Sequence, residues 1–402
     1  MNELEQQLHY PLGDTLAPSG GTLVVAQGDG TGLTPAIKWV RMALPFALNH
    51  INLWLLRDEA DANDGSDRKL QGWSIVDCCI SHEKSKAAWE SIFANELEGL
   101  PILRVIVTHM HPDHIGLAHW LCQRWSGRGA GPPQAVTSPL GGQRSSEGAS
   151  VGAHQCSLWI SATDYQVARI GCMGPTGFGG ERAAEFFASH GLNSPEAVAQ
   201  IQARTGYFPA LVPSVPLQYR RMMDGQMIRI GGRDWRCISG YGHAPEHIAL
   251  YCPSLNVLIG GDMMLPRIST NVSVYEAEPE ANALALFLGS IDRFRSLPED
   301  TLVLPSHGKP FTGMHTRIEQ LHQHHQDRLA DVLQACTRQP CSAADILPVL
   351  FERTLDLHQT TFAMGESIAH LHALWFDSKL RRTLDADGIY RFAVTSAEAR
   401  HP

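Results

Sequence analysis

The sequence predicts an α/β protein with a layered architecture, in which two sheets or half-sheets meet at one shared site. Segments with strand-like apolar patterns alternate with segments of helical periodicity in both halves of the chain. Several predicted strands are followed directly by a histidine or an aspartate. With 402 residues, the chain is long enough for two domains, or for one large domain with an appendage.

The N-terminal part of the chain has the pattern of a sheet with interspersed helices. Strands are predicted at 37–42, 51–56, 73–77 and 102–107, with helical segments at 82–98 and 115–125. Ser81 is the predicted N-cap of the first helix. The Asp- and Gly-rich segment 58–69 is predicted to be a solvated hairpin tip.

The middle of the chain contains two segments of different composition. About half of residues 126–156 are Gly, Pro or Ser, and they show no apolar period, so we predict a flexible loop there. Residues 171–224 are predicted to form a helical insertion, either a lid or an ordinary packing layer. The elements predicted in this region are a strand at 158–160 and helices at 164–170, 181–190 and 195–205.

Strands return after the insertion, and helices dominate the C-terminal part. The predicted strands lie at 227–230, 235–239, 248–252, 256–259 and 302–304. They are followed by predicted helices at 316–335, 342–351 and 366–380 and by a hairpin at 383–394 that turns at Asp387-Gly388. Three helices and a terminal hairpin are typical of a small winged-helix domain. We therefore predict one domain at 1–315 and a winged-helix-like domain at 316–402.

Composition favours a globular protein of the cytoplasm. The chain is 44% apolar and 18% charged, and no apolar run approaches the roughly 20 residues that span a bilayer. The first residues are polar and acidic, whereas a secretory signal begins basic and continues apolar. Nine cysteines without CxxC spacing suggest reduced thiols. We therefore expect a cytoplasmic location and no membrane association.

Charge and histidine content point to metal chemistry rather than to nucleic-acid binding. The net charge of -9 is unlike that of dedicated nucleic-acid binders, which usually carry a basic patch. A nucleic-acid partner is therefore not expected, although a local basic patch stays compatible with this charge. Twenty histidines are many for this length, and histidine is a common metal ligand and proton carrier.

The segment Thr108-His-Met-His-Pro-Asp-His114 concentrates ligand-type side chains directly after a predicted strand. On an extended segment, His109 and His111 point the same way, because alternate residues share a face. Asp113 and His114 can face a second point nearby. Two metal ions therefore fit this segment better than one. The alternative is a strand-to-helix turn in which Asp113 caps the helix and the histidines are incidental.

Three further residues follow predicted strands in the second half of the chain. His243 lies in the turn Gly240-Tyr-Gly-His-Ala-Pro-Glu-His247, Asp262 follows Gly260-Gly261, and His307 follows Pro305-Ser306. Each one alone is a common turn residue. Together with the first motif, they indicate one shared site.

These blocks, in this order, resemble the metallo-β-lactamase superfamily, and in particular its glyoxalase II-like hydrolases, over about residues 37–310. The resemblance implies an αββα sandwich with a dinuclear metal site. By matching position it implies that one metal binds His109, His111 and His243. The other metal would bind Asp113, His114 and His307, and Asp262 would bridge the two.

The C-terminal part resembles a winged-helix appendage found with this fold. The similarity rests on helix order, on Arg317-Ile-Glu-Gln-Leu with His324-His-Gln-Asp-Arg328, and on the terminal hairpin. The branch that carries this appendage includes a β-lactamase-like endoribonuclease and some thioesterases.

The sequence also departs from the family pattern near the site. Glu246 stands where glycine is common, and an inward-pointing carboxylate there would disfavour an anionic substrate group. The strand that ends at Asp77 continues into Cys78-Cys79 instead of a small residue and glycine; both cysteines are expected in the core. Asp77 is still expected to hydrogen-bond a ligand imidazole. His247 is expected to support the site or the fold.

The predicted chemistry is hydrolysis. A hydroxide held between two divalent ions forms near neutral pH, since one zinc ion can lower the pKa of bound water from about 15.7 to about 7. It would attack a carbonyl or phosphoryl centre, with Asp113 or Asp262 orienting the nucleophile or moving its proton. Zinc is the expected metal because the ligands are rich in imidazole, and iron or manganese are alternatives.

The leading interpretation of the substrate is a small-molecule thioester or related ester, because the motifs resemble glyoxalase II-like enzymes and the protein is acidic. A metal-dependent endoribonuclease is the first alternative, supported by the winged-helix resemblance. Residues 311–402 hold nine Lys and Arg against eleven Asp and Glu, a net charge of -2 (9 − 11). A nucleic-acid-binding wing is usually basic. A non-catalytic metal-binding module is the second alternative, but it predicts lost ligands and all seven positions are filled.

Other charged and aromatic residues are assigned simpler roles. Lys379, Arg381 and Arg382 are predicted at a helix end, where cations complement the helix dipole. A solvated helix face, rather than a second metal site, is predicted for His322, His324 and His325. The mouth of the site is predicted to include residues 271–275 and Tyr207 with Phe208.

Overall fold

The protein is described by a computed structural model that covers residues 4–27, 35–61, 69–126, 155–174 and 179–395. Two β-sheets face each other, and helices cover the outer face of each sheet. The predicted αββα sandwich is therefore confirmed. Most of the predicted flexible loop at 126–156 and of the hairpin tip at 58–69 lies outside the described residues.

The first sheet contains seven strands that neighbour each other in chain order. These strands are β1 (Leu23–Gln27), β2 (Pro35–Ala43), β3 (His50–Asp61), β4 (Lys69–Val76), β5 (Ile102–Ile106), β6 (Ser157–Ser161) and β7 (Tyr219–Met222). Strands β1 to β4 are antiparallel, whereas β4 to β7 run parallel. The central strands read as continuous apolar runs because both of their faces are buried.

The second sheet contains five strands in the order β12-β11-β10-β9-β8. Their bounds are β8 (Met227–Ile230), β9 (Arg233–Gly240), β10 (His247–Cys252), β11 (Val257–Gly261) and β12 (Leu302–Pro305). Only the β11–β12 pair is parallel among the pairs described for this sheet. The ends of β9, β11 and β12 lead into the segments that carry His243, Asp262 and His307.

Helices occupy the connections of the sandwich and most of the C-terminal part. The helices are α1 (Glu83–Asn95), α2 (Pro112–Ile115), α3 (Ala118–Arg124), α4 (Ala162–Gly171), α5 (Glu181–Ser189), α6 (Pro195–Ala203), α7 (Tyr207–Leu211), α8 (Ala283–Asp292), α9 (Met314–Arg338), α10 (Ala343–Leu350) and α11 (Leu357–Phe376). A small antiparallel sheet, β13 (Leu380–Leu384) and β14 (Tyr390–Val394), ends the described chain. None of the helices in the described ranges is long and apolar enough to cross a membrane.

Three apolar clusters define the layers. One cluster lies between the sheets and includes Trp39 and Trp54 of the first sheet and Trp235 of the second. Another joins the outer face of the first sheet to α1, α3 and α4. The third joins the outer face of the second sheet to α5, α6, α8 and the three C-terminal helices. The C-terminal helices thus share one apolar core with the second sheet, and the division at residue 315 stays a prediction.

Several predicted element boundaries are wrong. His82, not Ser81, caps α1, because its extended backbone lets Nδ1 accept a hydrogen bond from the Lys84 amide. Residues 219–222, predicted within the helical insertion, form the strand β7. Two consecutive exposed residues, Arg220 and Arg221, interrupt the apolar–polar alternation by which an edge strand is recognised. Helix α8 is absent from the sequence prediction, although Asn282 caps it through the Ala285 amide.

The last helix begins and ends earlier than predicted. A reciprocal capping box between Asp356 and Gln359 starts α11 at Leu357 rather than at residue 366. The helix ends at Phe376, and Leu380 already belongs to β13. Arg381 and Arg382 therefore lie on a strand, so the prediction that they lie at a helix end is wrong.

Candidate metal centre

The loop between β5 and α2 holds the first ligand-type residues at the end of a buried strand. Pro112 occupies the first turn of α2, where a proline lacks no hydrogen bond that the helix needs. His111 before it is extended, with φ -62° and ψ 147°, as residues before proline prefer. As a result the rings of His109 and His111 lie together, with centroids 4.6 Å apart.

A first group of ligand-type residues consists of His109, His111, His243 and Asp262. His109 Nε2 and His111 Nδ1 lie 2.9 Å apart. His243 Nε2 lies 3.1 Å from His111 Nδ1 and 3.2 Å from His109 Nε2. Asp262 Oδ2 lies 3.3 Å from His243 Nε2. Three imidazoles and one carboxylate therefore converge on one point.

A second group consists of Asp113, His114 and His307. Asp113 Oδ2 lies 3.7 Å from His114 Nε2 and 3.5 Å from His307 Nε2. The other oxygen of Asp262, Oδ1, lies 3.5 Å from His114 Nε2 and 3.4 Å from His307 Nε2. Asp262 therefore faces the first group with Oδ2 and the second group with Oδ1. The structure brings all seven predicted site residues together.

The outer nitrogens of four imidazoles have partners that fix the ring orientation. His114 Nδ1 lies 2.8 Å from Asp77 Oδ2, and His109 Nδ1 lies 3.0 Å from Thr108 Oγ1. His243 Nδ1 donates to the Asn271 carbonyl at 2.8 Å, and His307 Nδ1 donates to the His50 carbonyl at 2.7 Å. A proton on Nδ1 leaves the Nε2 lone pair pointing inward, which is the arrangement that metal-binding histidines need.

Asp77 has the supporting role that the sequence predicts, and the next residue, Cys78, assists it. Besides His114, the Asp77 carboxylate accepts hydrogen bonds from the amide and the hydroxyl of Thr108. Cys78 and Cys79 are buried in the core, as expected, and the Cys78 amide donates to the His114 carbonyl at 2.9 Å. Cys79 adopts a φ of +70°, a conformation that favours glycine, where the family pattern has a glycine.

Asn52 ties the first sheet to the turn that carries His307. This asparagine on β3 is fully buried, and its Nδ2 donates to the carbonyls of Pro305 and Gly308, both at 2.8 Å. Its Oδ1 accepts from Trp39 Nε1 at 2.9 Å. His50 also contributes, since its Nε2 accepts from the Gly308 amide and burial lowers its pKa to about 4. Neither residue was predicted, because the partners that they hold near His307 lie more than 250 positions away.

Asp164 joins the two loops that carry the histidines of the first group. Its Oδ1 accepts from the Met110 amide at 2.7 Å, and its Oδ2 accepts from the Glu246 amide at 2.6 Å. Burial raises the pKa of Asp164 to about 6, and the hydrogen bonds from these two amides oppose that shift. The sequence predicts only that Asp164 begins a helix.

Glycine is required beside Asp262. Gly261 has a φ of +55°, and a Cβ atom there would lie 2.1 Å from Nε2 of His247. His247 is fully buried and its ring centroid lies 5.1 Å from that of His109. Neither ring nitrogen of His247 has a hydrogen-bond partner among the described residues. His247 therefore fills the space behind the site, in agreement with the supporting role expected for it.

Burial and mutual charge set the protonation of the ligand residues. Burial, followed by the neighbouring histidines, lowers the pKa of His109 well below its usual value and that of His111 to about 3. Burial favours the uncharged form of His114, but the carboxylates around it favour the protonated form more strongly and raise its pKa. Burial likewise opposes ionisation of Asp262, and His307 and His114 outweigh it and lower the carboxyl pKa.

The donor set fits divalent transition-metal ions. Among the described residues, His114 Nε2 and Asp262 Oδ1 are buried without a hydrogen-bond partner, and an unpaired buried polar atom costs free energy. Neutral imidazoles and ionised carboxylates are the forms that bind metal. Imidazole-rich sets with carboxylates suit zinc, iron and manganese. A bound cation would satisfy both orphaned atoms and would displace the proton from His114.

A cavity of about 580 Å³ opens onto these ligands. Asp113, Asp262 and His307 lie in its wall. Other parts of the wall come from residues 44–48 before β3, from Tyr207 and from Asn271. The C-terminal segment between Phe351 and Glu366 supplies most of the remainder, with apolar side chains such as Leu355 and Phe362 beside polar ones.

Only some of the residues predicted around the mouth of the site line the cavity. Tyr207 and Asn271 line the cavity as expected, but Phe208 is buried in the core behind the first sheet. Val272 and Val274 are also core residues. Glu246 does not point inward; its carboxylate accepts hydrogen bonds from Ser239 and Thr163 at 3.2 and 3.1 Å. The predicted penalty for an anionic substrate group therefore does not arise from Glu246.

The predicted solvated face of α9 is wrong for one of its three histidines. His325 is fully buried, and its Nδ1 lies 3.3 Å from Nε2 of His370 on α11. His322 and His324 are partly buried. His325 lies on the same helical stripe as the buried Leu321 and Val332, so the apolar periodicity of α9 contains the signal of its burial.

Comparisons with known proteins agree with this site and fold. Residues 71–307 match the family described as the Metallo-beta-lactamase superfamily, and residues 329–395 match a domain described as Metallo-beta-lactamase-like, C-terminal domain. The first match spans more than half of the chain and includes every residue of the two ligand groups.

Similar proteins include two solved structures and one Bacillus protein. A beta-lactamase domain protein from Burkholderia ambifaria is 46% identical, with a TM-score of 0.82 over 98% of this chain and 100% of its own. A metallo-beta-lactamase family protein from Thermus thermophilus shares the fold, at 24% identity and a TM-score of 0.65 over 90% of this chain and 100% of its own. The "Probable metallo-hydrolase YqjP" of Bacillus subtilis (strain 168) is 26% identical over 168 residues, which is 40% of this chain and 50% of that protein. The chain thus spans about half the length of this relative.

Proposed function

Because the chain belongs to the metallo-β-lactamase superfamily, we propose that it is a hydrolase that uses two divalent metal ions to cleave a thioester or a related ester. Zinc is the metal that the imidazole-rich ligands favour, with iron and manganese as alternatives. The observation that carries the substrate class is the cavity, whose wall is largely apolar and opens onto Asp113, Asp262 and His307. An acyl or thiol chain can be buried there while its carbonyl reaches the ligands.

Two cations held at the site would supply Lewis acidity and would lower the pKa of a coordinated water. His109, His111 and His243 would hold one cation. The other would be held by Asp113, His114 and His307, and Asp262 would contact both.

The chain's own residues then complete the chemistry. Asp113 and Asp262 are acceptors that can orient a water molecule and take its proton, because both are ionised and lie in the cavity wall. Burial raises the pKa of Tyr207 to about 12, so its hydroxyl stays protonated and can donate a hydrogen bond to a substrate carbonyl. The apolar wall keeps bulk water from the acyl carbon.

We also propose that the C-terminal part is a winged-helix-like unit that serves the cavity rather than nucleic acid. Helices α9, α10 and α11 precede the β13–β14 hairpin, and Cys341 adds a bridge to Phe392, with amide-to-carbonyl distances of 2.9 and 2.8 Å in the two directions. One of its basic residues is engaged within the fold: Arg382 bonds to Glu280 and stacks on Trp375, with a guanidinium-to-centroid distance of 4.0 Å. Among the described residues that line the cavity, Arg353 is the single Lys or Arg.

Parallel assays of the metal-loaded protein test the proposal. We expect turnover of short and medium acyl thioesters or oxygen esters that is lost with a chelator and returns with zinc, iron or manganese. Single-stranded RNA serves as the competing substrate. Faster cleavage of RNA, or no hydrolysis of any ester with metal present, would overturn the proposal.

A further inference from the structure

Glu366 places a carboxyl group in the cavity that the metal centre does not use. Glu366 lies on α11 and lines the same cavity as Asp113 and His307, but it belongs to neither ligand group. Asn271 Nδ2 donates to Glu366 Oε2 at 3.2 Å. Among the residues that the structure describes, no Lys, Arg or His forms an ion pair with Glu366.

The backbone holds Glu366 firmly in this position. The Val274 amide donates to the Gly365 carbonyl at 3.1 Å, and Ser273 Oγ donates to the side-chain oxygen of Asn271 at 2.7 Å. A Cβ atom on Gly365 would lie 2.7 Å from Cβ of Ser273, so the two segments are in close contact. The Glu366 carboxyl is therefore presented by a rigid helix rather than by a loop.

Aromatic rings surround the same part of the cavity. The His358 ring lies 5.0 Å from Phe362, 5.2 Å from Tyr207 and 6.3 Å from Phe46, measured between centroids. All four residues line the cavity with Glu366. Burial and the nearby Arg204 lower the pKa of His358, so its ring is uncharged near neutral pH.

The charges of this part of the wall favour a cation. Apart from the metal ligands, the cavity wall carries the carboxyl groups of Asp356 and Glu366 and the guanidinium of Arg353, which is exposed.

Arg204 contacts Thr361 and His358 and stacks on Tyr207, and it does not line the cavity. Burial without a cationic partner raises the pKa of Glu366 to about 7, so an incoming cation would stabilise its ionised form.

We propose that Glu366 is a specificity-determining residue, and that the ester or thioester hydrolysed here carries a cationic group, such as a quaternary or primary ammonium, which binds between Glu366 and the aromatic rings of Phe46 and Phe362. A carboxylate beside aromatic faces is a suitable environment for an organic cation. This inference rests on the proposed hydrolase function. The inference extends the proposed function by specifying the charge of the substrate.

Matched substrates test the inference with the metal-loaded protein. Butyrylthiocholine is compared with its neutral isostere, S-(3,3-dimethylbutyl) thiobutyrate, and a second pair places the same trimethylammonium or tert-butyl group on the acyl side. We expect at least one cationic member to have a kcat/KM about tenfold or more above its isostere, mainly through KM, because its charge is attracted to the carboxylate and to the aromatic faces whereas the isostere gains only apolar contact; tenfold corresponds to about 1.4 kcal/mol. Glu366→Gln should remove this preference and leave the neutral esters within about twofold.

Glu352→Gln, an exposed change in the same segment, is the matched control and should keep the preference. Binding of choline against 3,3-dimethylbutan-1-ol, measured by calorimetry, supplies a readout without turnover; choline should bind more tightly, and Glu366→Gln should abolish the difference. Equal binding and equal kcat/KM within each pair, or a preference unchanged in Glu366→Gln, overturns the inference. Absence of all ester turnover overturns the proposed function instead, and the choline measurement still decides the role of Glu366.

Discussion

Two sets of histidines in this chain, each largely shielded from solvent, have opposite environments. The ligand histidines, which are His109, His111, His114, His243 and His307, converge through their inner nitrogens on the carboxylates of Asp113 and Asp262. The core histidines, which are His190, His325, His370 and His372, lie among the C-terminal helices. Outside the two ligand groups, no further group of three or more metal-ligand side chains occurs in the described residues.

The core histidines are buried as neutral side chains. His190, His370 and His372 place Nδ1 2.8, 2.8 and 3.0 Å from the backbone carbonyls of Phe186, Glu366 and Ala281. Burial lowers the pKa of each of these three to about 4. Hence burial and histidine content do not make a metal site; converging lone pairs beside ionised carboxylates do.

The largest difference between the two sets is expected in catalysis. Asp262→Ala removes the carboxylate shared by both ligand groups. We expect the rate of ester hydrolysis to fall by on the order of 1,000-fold or more. Bound metal ions stabilise the transition state by several kcal/mol, and each tenfold in rate corresponds to about 1.4 kcal/mol. His325→Leu, in the core set, should keep the metal content and turnover. Initial-rate assays on folded variants make this comparison. Comparable losses in the two variants would mean that the two sets do not differ in function.

A smaller effect is expected for the residue that orients His114. Asp77→Asn keeps the size of the side chain but replaces an oxygen that accepts from His114 or Thr108 by an amide donor. We expect about 10- to 100-fold weaker metal binding in chelator competition, the usual effect of losing such a partner. Asp61→Asn, at an exposed carboxylate paired with Lys69, is the control. Unchanged affinity in Asp77→Asn would remove Asp77 from the account.

The smallest effect concerns the pH dependence of folding. A histidine with a folded pKa of about 4 and an unfolded pKa of about 6.5 stabilises the folded chain above pH 6.5, and this contribution is lost as the pH falls toward 4. The free energy of unfolding of the wild type should fall on acidification, and that of His372→Leu, which lacks this titrating ring, should fall less. The two falls should differ by at most about 1.4 kcal/mol per pH unit. Urea unfolding of chelator-treated protein at pH 7 and pH 5.5 measures it. An equal pH slope in wild type and variant would contradict the assignment.

The ligand residues were predictable from sequence because each follows a strand, and strand ends are fixed by local apolar patterns. His109 to His114, His243, Asp262 and His307 all meet this condition. The residues that hold them were harder to predict: Asn52, His50 and Asp164 act on partners far along the chain, and no local pattern marks them. Burial of His325, in contrast, is predictable, because this residue lies one helical turn after Leu321 and two turns before Val332 on the buried stripe of α9.

Metal content of the purified protein is the most direct test of the central claim, that the two ligand groups form one two-metal centre. Elemental analysis of protein prepared without chelator and dialysed against metal-free buffer should find close to two divalent ions per chain, with zinc the expected element. Protein in which all seven ligand residues are intact, yet which retains no metal even after incubation with zinc, iron or manganese, would contradict it.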